Sequence, residues 1–151
     1  MELTRITAAW LDDLADWKIA LTLTFKPYLN SGIPLSELNV KKTTCFLIKR
    51  INKHCFGHMV SRRNYHVASV FAIEFGYAGE RPHVHATLSL PPNYSAESFA
   101  KVILKHARNI RSINQQIDIQ PYRNSGWHEY SLKTGLEHLA AEEICGANPN
   151  R

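Results

Sequence analysis

Two histidines separated by one residue, His83 and His85, stand in the segment His83-Val84-His85-Ala86-Thr87-Leu88-Ser89-Leu90. On a β-strand, residues two apart point the same way with side-chain origins roughly 7 Å apart, so both imidazoles can converge on one cation at about 2.1 Å. Read alone, the pair is more simply two solvated strand histidines. Glu74 changes the weighing, because the hydrophobic pattern sets it on a neighbouring strand and on the same face. A His, His, Glu donor set suits Mn²⁺ or Mg²⁺, and Zn²⁺ is also compatible. Three protein ligands would leave positions for substrate oxygens, as a catalytic metal requires. The plain alternative for Glu74 is a carboxylate facing water. A second group, Tyr130-Ser131-Leu132-Lys133, sets a phenol and an ammonium three residues apart, which on a helix means one face and a rise of about 4.5 Å. A tyrosine oxygen can act as a nucleophile when a cation or base helps to remove its proton, and the lysine can sit beside the phenol or beside a phosphate. By itself this pattern is more simply a core tyrosine next to a solvated lysine.

These groups need elements to position them. Thr7 to Leu14 reads as a short N-terminal helix, capped by Thr7 and running to about residue 16. Lys18 to Lys26 alternates strictly, with Ile19, Leu21, Leu23 and Phe25 against Ala20, Thr22 and Thr24, and predicts a half-buried strand closed by Pro27. Ser36 opens a long segment in which Val40, Thr44, Leu47, Ile48, Ile51 and Cys55 recur at helical spacing. Lys41, Lys42, Lys49, Arg50 and Lys53 fall on its other faces, which predicts an amphipathic helix with a basic exterior. Two further alternating runs, Val67 to Phe75 and His83 to Leu90, flank the turn-like Gly76-Tyr77-Ala78-Gly79-Glu80-Arg81-Pro82 and predict a hairpin. With the turn at Ala78 to Arg81, Phe75 pairs with Val84, Ile73 with Ala86 and Phe71 with Leu88. Glu74 then faces His85 across a gap of about 4.8 Å. Ser95 begins a second amphipathic helix through Phe99, Val102, Ile103 and His106; Ile117 to Gln120 is a short strand; from Ser125 a last helix carries Trp127, Tyr130, Lys133 and Leu136. The first six elements after the N-terminal helix match the α+β, ferredoxin-like order βαββαβ, an RRM-like antiparallel sheet with helices on one face and a site on the other.

The chain has 151 residues, 17.2 kDa and 44% hydrophobic content, enough to fill one core, so a single domain over 1–151 with a frayed end near 146–151 is expected. Three cysteines, Cys45, Cys55 and Cys145, make an odd count without a Cys-x-x-Cys pair and read as buried thiols. Apolar runs are short and the first residues lack a basic and hydrophobic leader, so no membrane association and a cytoplasmic location are expected. A net charge of +5 favours a polyanionic partner, although many basic proteins have none.

Taken together, Leu21-Thr22-Leu23-Thr24-Phe25 on a first strand, His83-Val84-His85 on a later strand and Tyr130-Ser131-Leu132-Lys133 on a following helix resemble the three motifs of the single-tyrosine rolling-circle replication initiators in the HUH endonuclease superfamily. The resemblance runs from about residue 18 to residue 136. It implies His83, His85 and Glu74 as metal ligands, Tyr130 as nucleophile and Lys133 as its phosphate-contacting companion. The implied activity is metal-dependent, sequence-specific nicking and joining of single-stranded or hairpin origin DNA through a 5′-phosphotyrosine, starting replication of a plasmid, phage or related element. Without an appended helicase domain, a host helicase is the implied partner, or the chain is a nuclease domain cut from a longer protein. Thr22, Thr24, Thr87 and Ser89 would line the open sheet face, with Arg81, Arg123, Lys26 and Lys18 at its rim; each rim residue is otherwise an ordinary surface charge. His128, Glu129 and metal-bound water are equal candidates for acid or base. The basic exterior of the long helix is either solvated or a seat for duplex or hairpin origin DNA. Three other readings compete. A related transposase or relaxase would share ligands and nucleophile. A metal-dependent hydrolase would keep His83 and His85 but have no use for Tyr130. A noncatalytic ferredoxin-like module would want aromatic residues where the polar face has histidines and hydroxyls.

Overall fold

Alternation of apolar and polar residues along the strands decides which face of the sheet each side chain joins. A computed structural model describes residues 2–75 and 81–132 of the chain. Strands β1 (Trp17–Phe25), β2 (Ser69–Glu74), β3 (His83–Ser89) and β4 (Ile113–Pro121) form one open antiparallel sheet in the order β2-β3-β1-β4. Helices α1 (Glu2–Leu14), α2 (Glu37–Phe56), α3 (Met59–Arg63), α4 (Ala96–Arg108) and α5 (Gly126–Ser131) complete an α+β domain among the described residues. None of these helices is long and apolar enough to cross a membrane.

On one face, Leu21, Leu23 and Phe25 of β1, Phe71 and Ile73 of β2 and Val84 and Leu88 of β3 are buried under α2 and α4. Those helices contribute Val40, Leu47 and Ile51, and Phe99 and Ile103. Both begin as their serines predict. Ser36 and Ser95 each accept the N–H of the residue three on, Asn39 and Ser98, whose side chains answer back, a reciprocal cap worth about 1 kcal/mol. On the other face the side chains are smaller. Ala68, Val70 and Ala72 meet Leu11 of α1, Trp17 and Leu132, and the Trp17 indole donates to the Leu11 carbonyl at 2.7 Å.

Several expectations are corrected. The second face is not bare, since α1 and α5 pack together over part of it. Helix α1 starts at Glu2, well before Thr7, which lies inside it; Glu2, Leu3 and Arg5 carry no helix breaker, and an acid in the first turn suits the positive end of the dipole. Strand β4 starts at Ile113 rather than Ile117, because its edge position leaves Gln115 and Gln116 in water and hides the alternation. Cys45 and Cys55 are half-buried rather than buried. Cys145, the turn residues 76–80 and Lys133 lie outside the described residues.

The hairpin keeps its expected parity but slips by two residues. Phe71 pairs with Ala86, Ile73 with Val84 and Glu74 with His83. Apolar residues still meet apolar ones, so the pattern within two strands cannot tell the registers apart. On its other side β3 is held by β1. Leu23 pairs with Val84, and the Phe25 N–H donates to the Pro82 carbonyl at 2.8 Å, which fixes where β3 begins.

Candidate functional site

Because β3 is flanked by β2 and β1, its polar side chains are fixed between two neighbours. One row across the sheet reads Ala72, His85, Thr22, Asp118, and the next reads Glu74, His83, Thr24. Cross-strand partners share a face, so two histidines, two threonine hydroxyls and the Glu74 carboxylate stand together, with Asp118 at the far end of its row on the edge strand β4. His85 Nδ1 lies 3.3 Å from the Thr22 hydroxyl and His83 Nδ1 lies 3.2 Å from that of Thr24. Glu74 reaches diagonally past its partner, setting Oε2 2.9 Å from His85 Nε2. His85 is buried, Glu74 partly exposed.

This arrangement bears on a cation in two ways. Where a threonine oxygen accepts Nδ1–H, as Thr24 can from His83, the imidazole keeps its lone pair on Nε2, the form that binds a metal; His85 Nε2 faces a carboxylate, which can only accept, and so donates to it. The donor types, two imidazole nitrogens and a carboxylate oxygen, therefore fit a divalent ion. In the arrangement described, Glu74 instead closes on His85, and no three His, Cys, Asp or Glu side chains among the described residues are grouped to hold an ion as they stand.

Tyr130 is carried to the same place by α5. Its ring centroid is 5.3 Å from that of His85, edge to face, and Trp127 stands 5.9 Å from the same imidazole. Tyr130 is 50% exposed. Beside it a groove of about 370 Å³ is lined by Ala20, Gln120, Arg123, Asn124, Trp127 and Tyr130. The buried Trp127 indole nitrogen has no hydrogen-bond partner among the described residues.

Short as it is, α5 is anchored by a buried polar chain. His128, 2% exposed, sets Nε2 3.0 Å from the Thr87 hydroxyl and Nδ1 3.2 Å from the Tyr122 hydroxyl, which in turn donates to Asp12 of α1. Since Tyr122 gives its proton to Asp12, its oxygen accepts from His128 Nδ1–H, and Nε2 accepts from Thr87. Burial pushes the His128 pKa down to about 4 against the opposing pull of Asp12, so the ring is neutral at pH 7. Burial, and next the hydrogen bond to Asp12, raise the Tyr122 phenol well above its ordinary range.

The predicted residues are thus distributed unevenly. His83, His85, Glu74, Thr22, Thr24 and Tyr130 converge. The two threonines are engaged with imidazoles rather than lining an open face. Thr87 and Ser89 are buried under α1 and α5, where Thr87 holds His128 and the Ser89 hydroxyl accepts the Ala68 N–H at 2.8 Å. Arg123 joins the groove, and Arg81 is exposed two residues before His83. Lys18 pairs with Asp16 at 2.9 Å, and Lys26 lines a separate hollow with Arg111. His128 is locked in the anchor, whereas Glu129 is exposed. Sequence reasoning missed Asp12, Tyr122 and Asp118. Asp118 could have been found, as it sits in the alternating run; Asp12 and Tyr122, 110 residues apart, leave no local signal. No family model, curated protein or solved structure matches the chain.

Proposed function

We propose that the chain nicks and joins single-stranded DNA by transesterification, with Tyr130 as nucleophile, in the manner of a rolling-circle initiator. One observation carries this reading: the Tyr130 ring meets His85 at 5.3 Å, at the place where His83, His85 and Glu74 share a face. The strand order, with β1 between β3 and β4, supports a ferredoxin-like fold for the sheet. A divalent ion, Mn²⁺ or Mg²⁺ by donor type, bound by the two imidazoles and the carboxylate would offset charge on a scissile phosphate. The protein's own residues do the rest. Thr22 and Thr24 hold the imidazole orientations, and the Asp12, Tyr122, His128, Thr87 chain holds α5 over the sheet. The Tyr130 oxygen forms a bond to phosphorus as the bond to the 3′ oxygen breaks, leaving a phosphotyrosine on the 5′ end and a 3′ hydroxyl. Attack by a 3′ hydroxyl reverses the step and rejoins a strand without ATP. The groove beside Tyr130 and the Arg123 guanidinium are placed to hold the adjoining nucleotide. Lys133 would contact the same phosphate. The reading carries with it origin DNA as substrate, a host helicase as partner and a cytoplasmic site of action.

The test is a denaturing gel of labelled single-stranded DNA from the chain's own replicon, incubated with Mn²⁺. A protein–DNA adduct should form, vanish on chelation, and fall by about 10³-fold or more in Tyr130→Phe. Free products with no adduct would overturn the proposal in favour of hydrolysis by water.

A further inference from the structure

The positive charge of this protein is concentrated away from the candidate site. Residues 37–63 and 96–111, the helices of the opposite face with their short connections, carry eleven Lys and Arg against two acids, Glu37 and Glu97. The rest of the chain carries seven against eleven. Within this layer the charges are ordered. Lys42, Lys49 and Lys53 are exposed on α2 and fall within about 40° of one another around the helix at 3.6 residues per turn. Lys101, Lys105 and Arg108 are exposed on α4 and fall within about 60° by the same arithmetic. The two helices are side by side, joined by His54 Nδ1 and His106 Nε2 at 3.0 Å. Burial, and after it the charges of His54, Arg50 and Lys105, push the His106 pKa down.

We propose that the α2–α4 face is a second nucleic-acid site that binds duplex DNA, such as a hairpin stem, while the sheet face takes the single strand. On α2 the row from Lys42 to Lys53 rises over eleven residues, about 16 Å, the length of about five base-pair steps of a duplex. Two rows of cations on neighbouring helices, whose axes pack about 8–10 Å apart, fit the phosphates of a rigid helix. A flexible single strand would need exposed rings to stack on, and Phe46, the exposed ring of α2, lies 5.5 Å under the Arg50 guanidinium. A lipid surface would need an apolar helix face to insert, and that of α2 is used up in the core. The choice of DNA over RNA rests on the reading of the opposite face.

The experiment measures anisotropy of a labelled DNA hairpin with a stem of about 20 base pairs, using the full chain between about 50 and 200 mM salt. Wild-type affinity should fall steeply with salt. Lys42→Gln/Lys49→Gln/Lys53→Gln should make the log–log slope shallower by about 2.7 and weaken binding at least about tenfold at 100 mM, as loss of three phosphate contacts requires. Lys101→Gln/Lys105→Gln/Arg108→Gln should do likewise. Neither triple variant should reduce adduct formation on a short single-stranded oligonucleotide, so this site and the nicking reaction can fail separately. An unchanged slope, an equal loss of single-strand affinity, tighter binding of an RNA stem, or displacement of the hairpin by anionic vesicles would each overturn the proposal. A wild-type slope shallower than about −3 would do so without any variant.

Discussion

On the helical face of the sheet, Leu23, Phe71 and Val84 stand in adjacent strands, each 1% exposed or less. One residue away along the same strands, Thr22, Ala72 and His85 form the opposite face. The first set interlocks with two long helices. The second includes a small alanine and two groups that hydrogen-bond to each other, covered among the described residues by the short α5 and by α1. A single backbone thus divides its labour by parity: one face supplies folding free energy through burial, and the other is left with polar groups whose mutual hydrogen bonds add little net stability but fix orientation.

Substitutions can pull the two apart. The largest expected effect is on stability: Phe71→Ala, at a fully buried ring, should cost about 3–5 kcal/mol by chemical denaturation. A loss below about 1 kcal/mol would mean that the helical face does not dominate the fold. Next comes pH. Unfolded His128 takes up its proton near its ordinary 6.5 and folded His128 only near 4. Between those values the unfolded chain binds more protons, so stability falls as pH drops from 6.5 towards 4 and is unaffected by this group above 6.5. The share due to this one ring is at most about 3 kcal/mol. Urea midpoints measured across that window should slope downward, and His128→Gln should flatten the slope; an equal slope in the variant would remove His128 from the account. The smallest effect should come from Thr22→Val and Thr24→Val, which delete the hydroxyls beside the imidazoles. Thermal midpoints should barely move, whereas calorimetric Mn²⁺ affinity should fall about tenfold on the proposed reading. Unchanged affinity would mean that the hydroxyls do not orient the rings.

The four strands, the two long helices with their serine caps, and the face shared by His83, His85 and Glu74 were legible because each rests on local periodicity. The exact partner of Glu74 was not. A two-residue slip preserves parity, so nothing in the alternation of these two strands distinguishes one register from the other. The partial cover over the polar face was illegible for a related reason. Its apolar contacts, Leu11 with Trp17 and Leu132, are few, and its polar chain joins Asp12, His128 and Thr87 from three separate elements with Tyr122 from the link between β4 and α5. Thr22 and Thr24 were noticed for their hydroxyls, yet their role as imidazole partners requires the strand order, which propensity does not contain.

The pairing of each imidazole with a threonine has a further result. Both rings are braced by threonines of β1, and Glu74 Oε2 closes on His85 Nε2 at 2.9 Å. On the proposed reading, an arriving ion would have to turn one carboxylate aside, a side-chain rotation that leaves the strands where they are.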